Sequence, residues 1–398
     1  MKPLKGIKIV DFTQAHAGSL ATMLLADMGA EVIKIERLGV GDLARYWEPM
    51  KDSESGYYAY LNRGKKSISI NASSKEGKEI ISKLIKDADV VTENFKFGSM
   101  ERMGFSYEEV KAIKSDIIYA SLNGFGQYGE MKNVIGLDLQ LQAMSGAMDS
   151  TGFVEGAPTK IGAAFGDHTS GNYLALGILS ALIHRNKTGE GRKIDVAILD
   201  SVFSLMPEKV VEFSAGNENQ SRIGNSSADY APCDIFQVKD GYVYMEIKDE
   251  RAWYNFCLAI GNQELLESNL FATNSSRVAV YDTKLKPLLK DYFDGFSTNE
   301  IVALLNKNNV PCVKIHSVKE AMDSEITKNN GMLVKVKDKV LGEISMPQSS
   351  YVFENIDTKI KDTAPLQGEH SLQYIRKLGY TEDEIRQLIE NKIIEQSV

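Results

Sequence analysis

Over its first third the chain alternates short β-branched runs with amphipathic segments, and this rhythm restricts the fold more than any other feature. Residues 7–12, 31–36 (EVIKIE), 67–71, 90–93 and 117–122 read as strands. Helical patterns fill 18–28, 75–87 and 107–115. Gly29 stops the first, and Ile80, Ile81, Leu84 and Ile85 line one side of the second. Strands that alternate with helices of this length need crossover connections, which predicts an α/β fold with a parallel sheet covered on both faces. Beyond Asp167 the pattern predicts a mostly buried helix, a strand over 193–197 and a further helix.

The character changes near residue 224. The segment APCDIFQVKDGYVYMEI holds two β runs around a Lys-Asp-Gly turn, a hairpin signature, and helical patterns follow over 253–260 and 299–306. A chain of 398 residues exceeds the usual single core, so two domains are expected. The division predicted is a large α/β domain over 1–200, a linker over 201–224, a small α+β domain over 225–325, and a segment over 326–398 whose helices return to the large domain. Thr381 and Glu384 form a capping-box pattern in that tail.

Charge and cysteine usage remove several function classes. The formal net charge is −8 and the densest basic cluster is RGKK at 63–66, so no cationic stripe exists to neutralise nucleic-acid or membrane phosphates. Cys233, Cys257 and Cys312 are widely spaced and odd in number, which suggests neither a disulfide framework nor a zinc site, and no metal is expected. The amino terminus lacks a long apolar stretch, and the apolar run around 173–183 is too short to span a bilayer. A cytoplasmic protein is the expectation.

A strand, a helix and a second strand ending in Glu36 suggest dinucleotide binding, but the first turn, TQAHAGS, has only Gly18 where close pyrophosphate approach needs several glycines. Arg37 follows the second strand and could engage a phosphate; a solvated loop arginine is the favoured reading of that residue alone. The stretch KIGAAFGDHTSGNY sets Asp167 among small residues just before the apolar helix. On residue chemistry Asp167 is equally well a helix N-cap or a nucleophile in a roomy site.

The wider set of motifs carries a resemblance. PLKGIKIVDFTQAHAG, MLLADMGAEVIKIE, RLGVGDLAR, ENF, RMGF, LNGFGQYG, QAMSGAMDSTG, FGDHTSG, KTGEGRKIDVAILD and APLQGEHS together resemble, in order and over nearly the whole chain, the class III CoA-transferases, the CaiB/BaiF family of formyl-CoA and carnitine CoA-transferases. The resemblance implies a Rossmann-like large domain, a smaller α+β domain and an interlocked homodimer of ring-shaped chains. It implies an acyl-CoA donor and a small carboxylic acid acceptor, with coenzyme A carried as substrate. Asp167 is then the nucleophile, already ionised, that forms a mixed aspartyl anhydride, with oxyanions held by backbone N–H groups such as those of NGFGQYG. CoA contacts are implied at His16, Ala17, Arg37, Ile70, Asn71, Ala72, Ser73, Asn94, Phe95, Lys96, Arg102, Ile135, Gly136, Leu137, Asp138 and Ile198. The same fold hosts α-methylacyl-CoA racemases, which carry a histidine before the aspartate where this chain has Gly136-Leu137-Asp138; a non-catalytic CoA-binding protein is the third alternative. His168 tunes the nucleophile's charge or is an exposed helix-start ring, and Asp138 is structural or a helper.

Overall fold

A computed structural model describes residues 1–216 and 222–397. The chain packs as two compact units, one of Met1–Met148, Lys160–Gly216 and Ile326–Val398, the other of Asp149–Thr159 and Asn217–Glu325. Residues 149–159, within the span read from sequence as the first domain, thus pack with the second unit. The span read as a linker over 201–224 carries helical structure in its first half, and its residues 217–221 lie outside the described part.

In chain order the large unit begins with β1 (Lys8–Asp11), α1 (Ala17–Asp27), β2 (Glu31–Glu36), α2 (Gly56–Leu61), β3 (Lys66–Ile70), α3 (Lys75–Lys86), β4 (Val90–Glu93), α4 (Tyr107–Ile113) and β5 (Ile118–Asn123). It continues through α5 (Asp138–Met144), α6 (Phe165–Thr188), β6 (Lys193–Ala197), α7 (Ile198–Phe203) and α8 (Pro207–Ser214). The second unit holds β7 (Cys233–Val238), β8 (Gly241–Glu246), α9 (Glu250–Ala259), α10 (Lys286–Phe293), α11 (Thr298–Lys307) and β9 (Cys312–Lys314). The tail adds β10 (Leu333–Asp338), β11 (Gly342–Pro347), α12 (Ser371–Lys377), α13 (Glu382–Glu390) and β12 (Ile394–Glu395) to the large unit.

The main sheet has the order β12-β3-β2-β1-β4-β5-β6, parallel except for β12, which pairs antiparallel with β3 through Ile394 and Ile70. Successive strand residues point to opposite faces, so each pair of adjacent apolar residues feeds two cores. Val10, Ile33, Val91 and Tyr119 enter one core with the α3 stripe Ile80, Ile81, Leu84 and Ile85. Their neighbours Ile9, Val32, Val90 and Ile118 enter the other, against Leu174, Ile178 and Leu182 of α6. Helices α1 and α6 approach closely because Gly171 has no side chain; a Cβ there would lie 2.7 Å from the Ala17 carbonyl oxygen. That contact brings the β1–α1 turn alongside the start of α6.

The second unit is an antiparallel sheet, β9-β8-β7, backed by helices. Its core is aromatic: Phe236 stacks on Phe293 with ring centroids 4.4 Å apart, and Trp253 packs against Phe256 and Phe271. Among the described residues no helix is long and apolar enough to cross a membrane.

Candidate active site

Asp167 occupies the first turn of α6, but it does not cap the helix. Ala164 stands at the N-cap and offers no side-chain acceptor. Asp138, the first residue of α5, supplies it from 28 positions upstream: its Oδ1 accepts from Gly166 N at 2.6 Å and Asp167 N at 3.1 Å. A carboxylate against orphan amides at a helix start is favourable, contributing on the order of 1 kcal/mol. Oδ2 of Asp138 accepts from Gln142 Nε2 at 2.7 Å, which fixes the carboxylate's orientation. Gly166 is required for this approach, since a Cβ would meet Asp138 Oδ1 at 2.7 Å and Ile198 at 2.9 Å. One of the two roles left open for Asp167, the helix cap, is therefore filled by Asp138, and the Asp167 carboxylate is free of it.

Burial first, and the nearby Asp138 charge second, push the Asp167 carboxyl up to about 7. The expectation was a carboxylate already ionised; burial in this pocket instead favours its protonated form relative to an ordinary aspartate. The imidazole of His16 lies beside it, with Nδ1 3.9 Å from Oδ2. His16 is itself kept neutral, lowered to about 4 by burial and then by His168, whose ring meets it edge-on at 4.5 Å. His168 is half-buried against His16 rather than an exposed helix-start ring. The Tyr57 hydroxyl lies 2.8 Å from His16 Nδ1, and burial holds Tyr57 as a phenol. His16 Nε2, the other ring nitrogen, is a buried atom without a protein partner.

The turn that presents His16 is held from beneath by charge. Ala15 sits at φ +60°, a strained conformation for a residue with a Cβ. Its N–H donates to Asp42 Oδ1 at 2.9 Å, Gln14 N to Asn94 Oδ1 at 2.8 Å, and Lys34 Nζ to the Thr13 carbonyl at 2.6 Å. Lys34 pairs with Asp42 at 2.6 Å, Lys65 with Asp11 at 3.1 Å, and all four side chains are fully buried. Asp11 also accepts from Thr13, Thr22 and Thr92 hydroxyls. Although burial alone would raise it, the two lysines and these donors bring its carboxyl down to about 2.

These elements enclose a cleft of about 330 Å³. Of the residues singled out from sequence, His16, Ala17, Asn94, Phe95, Lys96, Ile135, Gly136, Leu137, Asp138, Asp167 and Ile198 all line it. Arg37, Ile70, Asn71, Ala72, Ser73 and Arg102 do not. Arg37 is exposed, Ile70 ends β3 with its side chain buried in the core, Asn71 turns its Oδ1 to Ser73 N at 3.1 Å, Ala72 packs on the core, and exposed Arg102 donates to Ser99 at 2.9 Å. Of the NGFGQYG loop only Asn123 and Gly124 reach the cleft, and Asn123 Nδ2 is a buried donor without a protein partner. Gln127 is instead turned down onto Glu93 and Asp195, at 3.1 and 2.6 Å. Sequence reasoning missed Leu43, Trp47, Phe97 and Lys132 on the walls and Tyr57 behind His16. The aromatic density of ARYWEP and GYYAY was the only signal for Trp47 and Tyr57. Among the described residues no group of three or more metal-ligating side chains comes together.

The chain matches CoA-transferase family III over residues 4–371. It is 33% identical over 417 residues to formyl-CoA:oxalate CoA-transferases of Shigella sonnei and Escherichia coli O139:H28, covering 98% of this chain and 99% of each of theirs. Among solved structures it resembles a CAIB/BAIF family protein from Brucella suis, with TM-score 0.87, 33% identity, and coverage of 94% of this chain and 99% of that one. It also resembles Rv3272 from Mycobacterium tuberculosis, with TM-score 0.83, 29% identity and the same coverage. With a free carboxylate at the mouth of a capped helix, an adjoining cleft and a family match over nearly its whole length, the chain belongs to the class III CoA-transferases, the CaiB/BaiF family.

Proposed function

We propose that the enzyme moves coenzyme A from an acyl-CoA thioester to an acceptor carboxylic acid through an acyl anhydride on Asp167. The observation that carries this is the release of Asp167 from capping duty: its carboxylate lines the cleft while Asp138 satisfies the helix amides. In ionised form an Asp167 oxygen attacks the thioester carbonyl, the C–S bond breaks, and CoA leaves as thiolate. The acceptor carboxylate then attacks the Asp167 acyl carbon of the anhydride and the donor acid leaves as its carboxylate; thiolate attack on the new acyl carbonyl breaks that anhydride, yields the second thioester and regenerates the Asp167 carboxylate. No ATP is consumed because one thioester replaces another. His16 and Asn123, both in the cleft lining, carry the unpartnered nitrogens Nε2 and Nδ2, and in N–H form these suit an oxygen that gains charge in the tetrahedral intermediates. Lys96 and Lys132, the cleft's two lysines, suit the anionic end of CoA.

The test is intact mass of wild type and Asp167→Ala after incubation with acyl-CoA donors and hydroxylamine. A hydroxamate on wild type and none on the variant is the expected result. Deuterium washing into the acyl α-position without an adduct would favour a racemase in which Asp167 and His16 shuttle the proton.

We infer in addition an interlocked homodimer. Support comes from an apolar strip on α6, α7 and α8, where Leu176, Ile183, Phe203, Val211 and Phe213 are each at least half exposed. Native mass spectrometry at micromolar concentration should give twice the 44.1 kDa chain mass; a monomer there overturns the dimer.

A further inference from the structure

The CoA-transferase proposal leaves open which acids are exchanged, and the inference drawn next rests on it. We propose that donor acyl group and acceptor are monocarboxylic acids with an apolar or aromatic body, and that dicarboxylic acids are rejected.

The argument begins with where positive charge is not. A dicarboxylate bound with one carboxyl at Asp167 must place its second close by, and an anion there needs a cation or several free donors. The buried cations beneath the cleft are already committed, and the two lysines that line it, Lys96 and Lys132, are the ones assigned above to the anionic end of CoA. Arg45, on the segment that carries Leu43 and Trp47, is buried and holds Glu36 through two hydrogen bonds of 2.8 Å. Lys34 is spent on Asp42 and Lys65 on Asp11. Of the two cleft lysines, Lys132 lies 4.5 Å over the Phe97 ring, next in sequence to Lys96, and neither pairs with Asp167. What does stand beside Asp167 is a second carboxylate, Asp138, and a histidine held neutral. The upward shift of Asp167 agrees with this, since no cation contributes to it.

The walls supply the positive half of the argument. From Asp167 a contact series runs outward through His16 to Tyr57, and Trp47 packs on Tyr57 with centroids 5.6 Å apart. Leu43, 53% exposed, lines the cleft with Trp47, as do Ile135 and Leu137 at 65% and 63% exposed. Apolar side chains exposed this far within a catalytic cleft offer burial to an alkyl or aryl group, and nothing to a second carboxylate.

The experiment compares butyryl-, isovaleryl- and phenylacetyl-CoA with oxalyl- and succinyl-CoA as donors, and the matching free acids as acceptors, for the wild-type enzyme. The monocarboxylic set is expected to exceed the dicarboxylic set by roughly 100-fold in kcat/KM. Equal or greater activity with oxalyl- or succinyl-CoA, with hydroxamate still trapped at Asp167, would overturn the specificity and leave the transferase proposal standing. No transfer or trapping from any donor would overturn both. Trp47→Arg and Leu43→Lys each place a cation on the wall, and at least one is expected to cut the preference by about 10-fold or more. Because the readout is a ratio of two substrates, partial loss of folded enzyme cancels. An unchanged ratio in both variants would overturn the wall's part in selection.

Discussion

The two units bury different things. Beneath the cleft, the large unit buries Asp11, Lys34, Glu36, Asp42, Arg45 and Lys65. The second unit builds its core from Phe236, Trp253, Phe256, Phe271 and Phe293, with Arg277 and Asp234 as its buried charged groups. A buried ion pair adds little net stability over apolar residues of the same volume, because desolvation offsets the attraction. It does impose geometry: six charged groups can be satisfied together in few arrangements, and the one adopted here holds Ala15 in a strained conformation and fixes His16 beside Asp167. The aromatic core is the less costly way to stabilise a fold.

The sharpest way to break this contrast is at the nucleophile. Asp167→Ala is expected to lower kcat for CoA transfer by at least ~1,000-fold while circular dichroism and thermal midpoint stay at or above those of wild type. Next comes Lys34→Met, which strands Asp42 as an unpaired buried charge. A loss of about 3–5 kcal/mol in denaturant unfolding is expected, together with loss of kcat at temperatures where the protein remains folded, because the His16 turn is released. Phe293→Ala in the aromatic core is the counterpart. It should cost about 3–5 kcal/mol in the second unit's transition yet leave kcat within about 2-fold below that transition. If Phe293→Ala lowers kcat as much as Lys34→Met does, the contrast between the units is wrong.

Proton linkage gives a smaller, signed effect. The folded Asp167 carboxyl lies above its ordinary value, at about 7, so the folded state binds this proton more tightly than the unfolded chain does. Stability is therefore unaffected below about pH 4 and is lost as pH rises from there to 7. Asp167→Asn removes that loss, so its thermal midpoint should exceed wild type at pH 8 and match it at pH 4. Asp11 runs in the opposite direction. Its carboxyl is brought down to about 2, so its contribution is present above about pH 4 and disappears as pH falls toward 2.

The sequence announced the sheet because adjacent apolar residues in each strand feed the two opposite cores, leaving runs such as IKIV and VV too apolar for any other placement. It did not announce β12, whose two residues owe their extended state to pairing with Ile70 and Ser69 more than 300 positions away. Nor did it reveal α8 in the presumed linker, where a proline opens a helix of modest polarity. At the site, the small residues around Asp167 were legible, and Gly166 proves necessary for a specific contact. The role of Asp138 was not, since a cap delivered across 28 residues leaves no local pattern. The upward shift of Asp167 was equally hidden, because it arises from burial that only the assembled cleft provides.

The most direct test of the account is the rate at which hydroxamate forms on Asp167 in a single turnover, followed from pH 5 to 9 at constant free-base hydroxylamine and located by peptide mass spectrometry. A nucleophile held at about 7 predicts a rate that climbs with that apparent pKa and levels off above it, with all label on Asp167. A flat profile, or label on any other residue, would contradict it.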